Sequence, residues 1–220
     1  MPPTFIIEHL DPELEAWQTL EYQRIASDCA ATHRPFFLSG VPAALRTPPH
    51  PLAHALPASA LPDADVRRLC AGHAAARVCL LDPRAERDLA PEEGGSFDVF
   101  VVGGILGDDP PRDRTAELRG LGFVGRRLGA EQMTTDTAVR VAWMVVGEGK
   151  RLEEIAYVDR PEIDVSPTKE AGQDPEAAGF GEKVKMPFRY VRGEDGGPVL
   201  PEGMVELLRS DADKGILDLL

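Results

Sequence analysis

The chain has 220 residues, of which 37 are Asp or Glu and 24 are Lys or Arg, so its formal net charge is −13 with histidine neutral. A hydrophobic fraction of 43% is enough for an ordinary core and excludes a disordered or fibrous chain. Apolar runs fall well short of the roughly 20 residues that a membrane-spanning helix requires, so no membrane partner is expected.

Three scattered cysteines (Cys29, Cys70 and Cys79) form neither a CxxC pair nor an even disulfide framework. The amino terminus lacks the basic segment and long apolar stretch of a secretion signal. Both features favour a reducing, cytoplasmic location.

The first elements alternate between strand-like and helix-like patterns. A β-branched run over residues 4–10 predicts a buried strand. Asp11 then predicts a helix N-cap, with Pro12 in the first helical position. The apolar face of this helix includes Trp17, which is therefore expected in the core.

The same alternation continues to the end of the chain and predicts one α/β domain over residues 1–220. Near-continuous apolar runs at 77–83 and 97–104 are typical of a parallel sheet that is covered on both faces. Residues 166–185 are polar and rich in Gly and Pro, which predicts a flexible insertion. The other predicted elements are strands at 34–40, 123–129 and 185–191, helices at 63–70, 135–146 and 200–211, and an irregular segment at 41–62.

Two turns that follow predicted strands are candidates for a ligand-binding site. The sequence GGILGDDPPRD (103–113) places glycines directly after a strand, where the backbone can approach a ligand closely. The sequence RRLGAEQMTTDTAVRVAW (126–143) leads into a threonine-rich helix start with free backbone N–H groups. Ligands in open α/β sheets bind beyond the carboxyl ends of strands, although ordinary βα turns would show the same pattern.

Several common sites are absent from the sequence. It contains no GxxxxGK[ST] loop, no suitably spaced GxGxxG, no HExxH and no GxSxG. The five histidines do not cluster, so no metal site is expected. Residues 112–147 hold six bases and four acids, a mildly basic island in an acidic chain that leaves RNA contact open without favouring it.

Taken together, GGILGDDPPRD, RRLGAEQMTTDTA, MPFRYV and LPEGM closely resemble the SPOUT-fold protein arginine methyltransferases, a fungal family that modifies a small-subunit ribosomal protein. The likeness extends to IIEHL at the front and VCLLDPRA in the middle. The fragment LG-x-x-x-M-T-T-D-T-A is also similar to a signature of SPOUT RNA methyltransferases.

This resemblance implies a SPOUT-type fold: a mostly parallel sheet knotted as a trefoil, with helices on both faces and a carboxy-terminal strand–helix appendage. It also implies S-adenosylmethionine (SAM) as the cofactor, bound in the knotted loops, and a monomer. The cofactor-binding residues that it implies are Leu80, Leu81, Asp82, Gly103, Gly104, Leu106, Gly107, Leu128, Gly129, Gln132, Met133, Thr134 and Thr137.

The expected activity is methyl transfer from SAM to an arginine side chain of a basic ribosomal protein. A carboxylate can align the planar guanidinium and accept its proton, so acids near the predicted site are catalytic candidates. Glu8 ends the first strand, and Asp108 and Asp113 flank the PPR turn. Asp136 lies in a first helical turn, where complementing the helix dipole is the competing role.

Two other functions remain open at this level. The LG…TTDTA segment and the basic island also fit a SPOUT methyltransferase that acts on RNA. The third reading is a cofactor-binding protein without catalysis, acting as an assembly partner.

Overall fold

The computed structural model describes residues 2–47, 51–104, 113, 115–166 and 183–217. The strands are β1 (Thr4–His9), β2 (Phe36–Ser39), β3 (Val78–Leu81), β4 (Val99–Gly104), β5 (Val124–Arg126), β6 (Tyr157–Asp159), β7 (Glu162–Asp164), β8 (Lys183–Lys185) and β9 (Arg189–Val191). The helices are α1 (Ala16–Ala31), α2 (Pro51–Ala55), α3 (Val66–Cys70), α4 (Ala116–Arg119), α5 (Thr135–Val146) and α6 (Met204–Leu217). Within the described ranges, no helix combines the length and apolar character that crossing a bilayer would require.

Five parallel strands form the central sheet in the order β2-β1-β4-β3-β5. Successive side chains of a strand point to opposite faces, so each strand contributes to two apolar layers. On one face, Phe5 stacks on Phe100 at 5.4 Å between ring centroids, and α1 and α5 cover this layer. On the other face, Val101 packs with Leu80 under α3 and α4. The near-continuous apolar strands follow from this double coverage.

The carboxy-terminal part forms two antiparallel strand pairs, β6–β9 and β7–β8, followed by α6. Its buried side chains, which include Met186 and Met204, form a third cluster that packs against Trp17 and Leu20 of α1. The predicted appendage is therefore joined to the main sheet through α1.

Sequence patterns located the main elements but misplaced some boundaries. Helix α5 has the predicted bounds, whereas α1 begins at Ala16, after a turn in which Asp11 accepts a hydrogen bond of 2.7 Å from Gln18. Within the predicted strand 185–191, Lys185 ends β8, residues 186–188 belong to no strand, and residues 189–191 form β9. The predicted irregular segment 41–62 contains α2, whose Leu52 is fully buried.

The segment predicted as a flexible insertion, 166–185, lies outside the described residues from 167 to 182. At its carboxyl end, residues 183–185 are strand β8, in which Val184 pairs with Ile163. Residues 183–185 therefore do not belong to the predicted flexible segment. The trefoil knot stays a prediction.

A substitution at Gly104 tests whether the end of β4 is tightly packed. A Cβ atom there would lie 2.5 Å from Tyr22 Oη and 2.7 Å from Ile7 Cγ2, and both side chains are fully buried. We expect Gly104→Ala to lower the free energy of unfolding by about 1–3 kcal/mol, measured by urea titration, because the core has no room for the methyl group.

The matched control is Gly95→Ala, where a Cβ atom would meet nothing within 4 Å. This variant should unfold like the wild-type protein. Equal stability of the Gly104 and Gly95 variants would contradict the packing role of Gly104.

Candidate functional site

A cavity of about 330 Å³ opens at the carboxyl ends of β3, β4 and β5. This is the edge of an open parallel sheet at which ligands bind, and the volume suits a small organic molecule. The lining residues come from the strand ends, the β5–α5 segment, the first turn of α5, α1 and the β8–β9 connection. Those used below are Trp17, Glu21, Leu81, Asp82, Arg84, Val102, Gly103, Asp113, Thr115, Arg126, Leu128, Gly129, Gln132, Met133, Thr134, Ala138 and Phe188.

Backbone hydrogen bonds hold the β5–α5 segment from two sides. The Leu89 N–H donates to the Arg127 carbonyl at 2.9 Å, and the Arg189 N–H donates to the Gln132 carbonyl at 2.8 Å. Between these points Gly129 has φ +87°, a conformation that L side chains rarely adopt. A Cβ atom on Gly129 would meet nothing within 4 Å, so the segment leaves open space at this position.

A second part of the wall is a neutralised charge cluster. Asp82, only 2% exposed, accepts hydrogen bonds of 2.8 and 2.9 Å from Arg119 and one of 3.2 Å from Thr115. Arg119 also pairs with Asp113, and this hydrogen bond holds the pKa of Asp113 below its usual value. Arg84 pairs with Asp113 at 2.9 Å. The acids of this cluster therefore already have cationic partners.

Arg126 is neutralised in the same way. Its guanidinium donates hydrogen bonds of 2.8 and 3.0 Å to the Glu93 carboxylate, which lowers the pKa of Glu93, and it lies 5.6 Å from the Phe97 ring centroid. Arg126 therefore stabilises the edge of the sheet through Glu93, and its charge is already paired when a ligand anion arrives. Among the described residues, no group of three or more His, Cys, Asp and Glu side chains is arranged to hold a metal ion.

Glu21 gives the cavity an acid of a different kind. It is 3% exposed, and the Trp17 indole N–H donates a hydrogen bond of 2.8 Å to its Oε1. Burial and the neighbouring Asp136 carboxyl raise the pKa of Glu21 well above its usual value, against opposing hydrogen bonds from Trp17 and Thr135. The Trp17 and Phe188 rings, 6.5 Å apart and inclined at 75°, both line the cavity.

Buried carboxylates and aromatic faces together are the groups that bind an organic cation. Trp17 was expected in the core; it is half-buried, packs against the carboxy-terminal cluster and also lines the cavity. Glu21 was not among the site residues that the sequence predicted. The available signal was an acid one turn after Trp17, on a helix face that is otherwise apolar.

The structure brings most of the predicted site residues to this one cavity. Gly103 lines the cavity from the end of β4, and Leu128 and Met133 line it from the β5–α5 segment. The predicted residues that line the cavity are Leu81, Asp82, Gly103, Asp113, Leu128, Gly129, Gln132, Met133 and Thr134. Leu106, Gly107 and Asp108 lie outside the described residues.

Three predicted cofactor residues lie off the cavity wall, each for a physical reason. Leu80 points to the opposite face of the sheet from Leu81 and packs under α3. Gly104 faces the buried side chains of α1 and β1. Thr137 is 2% exposed and accepts a hydrogen bond of 2.7 Å from the Thr134 hydroxyl, so its own hydroxyl serves the helix start.

Glu8 also lies outside the cavity wall, although it was the first catalytic candidate. Its Oε2 accepts hydrogen bonds from the Ser39 hydroxyl and, at 3.1 Å, from the Val66 N–H. Burial raises its pKa. These contacts join the ends of β1 and β2 to the start of α3, which gives Glu8 a structural role in this arrangement.

A parallel α/β sheet with helices on both faces, a ligand-sized cavity at its strand ends and a buried acid in the cavity wall define an α/β protein that binds a small ligand. The family model described as "Protein arginine N-methyltransferase SFM1-like" matches residues 4–215. The chain belongs to this family.

Relatives support the assignment over the full length. Protein arginine N-methyltransferase SFM1 of Saccharomyces cerevisiae is 37% identical over 229 residues, covering 98% of this chain and 99% of the relative. A crystal structure of the yeast enzyme complexed with SAM is 36% identical with a TM-score of 0.76, and the match covers 97% of this chain and 92% of that chain.

A second structure of the yeast enzyme, complexed with SAH, has a TM-score of 0.73 at 36% identity and covers 93% of this chain and 94% of that chain. Trm10 of Thermococcus kodakaraensis, at 18% identity and a TM-score of 0.50, shares the fold; the match covers 69% of this chain and 96% of that chain. These matches confirm the predicted fold class.

Proposed function

We propose that the protein transfers the methyl group of SAM to an arginine side chain of a basic protein, with Glu21 as the carboxylate that receives the guanidinium. The observation that carries the proposal is the buried Glu21 carboxyl in the cavity wall, beside the Trp17 and Phe188 rings. A planar cation with five N–H donors fits an acceptor flanked by aromatic faces.

The remainder of the cavity fits the cofactor. Its apolar wall, which includes Leu81, Leu128, Met133 and Ala138, suits an adenosine group, and the open space at Gly129 lets a ligand approach the backbone. Solved yeast relatives carry SAM, SAH and MTA. When bound, SAM supplies an electrophilic methyl group on a positively charged sulfur.

The protein's task in the reaction is orientation and proton removal. A guanidinium is protonated at any working pH and its lone pairs are delocalised, so it is a poor nucleophile. A carboxylate bonded to two of its N–H groups localises the charge and aligns the third nitrogen. As the nitrogen lone pair forms the N–C bond, the S–C electron pair remains on sulfur and the N–H proton passes to Glu21.

The substrate is proposed to be a basic ribosomal protein. A net charge of −13 attracts cationic partners and repels phosphate backbones. The similarity to Trm10 concerns the fold alone and gives no support for an RNA substrate. We also propose that the protein acts as a cytoplasmic monomer, since α1 of the same chain contributes the Glu21 side of the cavity.

The substrate class can be tested by incubating the protein with labelled SAM and a ribosomal extract. Label is expected in a small, basic protein and in its arginine side chains after acid hydrolysis. Label confined to RNA would overturn the substrate assignment.

The role of Glu21 predicts a catalytic defect without a binding defect. Glu21→Gln keeps the size of the side chain and an acceptor for the Trp17 indole, but removes the proton acceptor. We expect kcat to fall by about 10²–10⁴-fold, measured by methyl incorporation, with SAH affinity retained. The control is Glu13→Gln, the same change at an exposed side chain. An unchanged kcat for Glu21→Gln would reject the mechanism.

The cofactor assignment predicts a selective effect at Gly129. Gly129→Ala and Gly149→Ala both place a side chain at positive φ in open space, so each should cost about 1–2 kcal/mol of stability. In calorimetry we expect Gly129→Ala alone to weaken SAH binding by roughly tenfold or more, since only Gly129 lines the cavity. Equal SAH affinities of the two variants would place the cofactor elsewhere.

A further inference from the structure

Behind Glu21 lies a second buried carboxyl group. Asp136, in the first turn of α5, is 4% exposed, and its Oδ1 has no hydrogen-bond partner among the described residues. Tyr190 of β9 is 1% exposed, and its hydroxyl likewise lacks a partner in the described part of the chain. Helix α1, helix α5 and strand β9 thus bring two carboxyl groups and a phenol into one buried region.

Two neighbouring buried carboxylates cannot both ionise cheaply. Burial raises the pKa of Asp136 to about 6, although hydrogen bonds from Thr134 and the Thr137 N–H oppose this shift. Burial and then the Asp136 charge raise the pKa of Glu21. An unpartnered carboxylate oxygen in a buried site adds a desolvation cost, which a bound proton removes.

The charged groups around this region come from each element packed against it. Arg24 of α1 and Arg140 of α5 favour the ionised form of Asp136, and Asp28 bridges these two arginines. From β9, Tyr190 adds a phenol whose pKa is raised first by burial and then by the charges of Asp136 and Glu21, so it stays protonated. Arg24 and Arg140 thus act on Asp136, whereas Glu21 is the acid of the pair that lines the cavity.

We propose that Glu21 and Asp136 form one carboxyl pair that holds a single proton at neutral pH while the cavity is empty, with Asp136 as the positioning residue that sets the protonation state of Glu21. A guanidinium that enters the cavity replaces this proton, which leaves to solvent. The proton released from the guanidinium during methyl transfer then returns to the pair. This last step rests on the proposed function, whereas the shared proton does not.

The indole N–H of Trp17 reports directly on the pair, because it donates to Glu21 Oε1. The chain has two tryptophans, so Trp143→Phe identifies the Trp17 indole peak in a ¹H–¹⁵N spectrum. In the cofactor-free protein we expect this peak to titrate with a midpoint well above the ordinary range of a glutamate, because Glu21 is buried beside a second carboxyl group. A midpoint at the ordinary Glu value would overturn the proposal.

The two neighbours of opposite charge should move this midpoint in opposite directions. Asp136→Asn removes a negative charge and should lower it by about one pH unit or more, a tenfold change in proton affinity. Arg140→Gln removes a cation and should raise it, which keeps the test decisive if the Asp136 variant does not fold. Asp98→Asn, a control at a remote exposed pair with Arg77, changes the net charge equally and should leave the midpoint unchanged.

An unchanged midpoint in Asp136→Asn, or an equal shift in Asp98→Asn, would contradict the coupling. A kinetic measurement extends the test: the acidic limb of the kcat/KM profile should move to lower pH in Asp136→Asn, together with the indole midpoint. A protein that titrates as expected but labels no arginine would retain the carboxyl pair and refute the proposed function. A protein that labels arginine but in which Glu21 titrates at the ordinary Glu value would retain the proposed function and refute the carboxyl pair.

Discussion

The whole site depends on how the segment between β5 and α5 is held. Its backbone is bonded to the loop after β3 at Arg127 and to β9 at Gln132, so an inner strand of the sheet and the carboxy-terminal unit fix it from opposite sides. A segment held in this way can keep Gly129 at positive φ and can start α5 at a defined place. The position of Asp136, and therefore the electrostatic environment of Glu21, follows from that start.

Helix α1 links the two halves of the site. Tyr22 and Ile25 bury one face of the helix against the main sheet, while Trp17 and Leu20 contact the carboxy-terminal cluster. The Arg24 guanidinium also donates a hydrogen bond of 3.1 Å to the Leu200 carbonyl. Movement of the carboxy-terminal unit would therefore disturb both the aromatic and the acidic side of the cavity.

The sequence predicted the parts of the fold that rest on local patterns. The apolar runs of β3 and β4 gave those strands, and the threonine-rich start with its apolar stripe gave α5 with correct bounds. Strands β6 and β7 were not predicted because they are short and lie in a stretch rich in charged residues, without the apolar runs that surround β5 and β9. The start of α1 was misplaced because Asp11 and Pro12 resemble a helix cap, whereas the helix is capped four residues later, where the Glu15 N–H donates a hydrogen bond of 3.0 Å to the Gln18 side chain.

The sequence placed the residues of the β5–α5 segment at the cavity but did not place the acidic ones there, for a related reason. Leu128, Gly129 and Met133 lie in one contiguous motif, so a family resemblance identifies them together. Glu21 meets Asp136 and Tyr190 only after α1, α5 and β9 have packed, and no pattern within one element signals that meeting. Glu8 was preferred because it ends a strand, but the sequence does not show that Ser39 and Val66 already occupy its carboxylate.

Three buried acids differ in the partners that they already have, and these differences support the proposed role of Glu21. Asp82 is bonded to Arg119, so a substrate arginine would have to displace an internal one. Glu8 is bonded to Ser39 and Val66 and lies off the cavity wall. Glu21 lines the cavity, is held by the neutral donors of Trp17 and Thr135, and has a second acid behind it in place of a cation. A carboxyl group whose charge is stabilised only weakly by its own protein gains most from an incoming cation, and it can release that cation once the proton has returned.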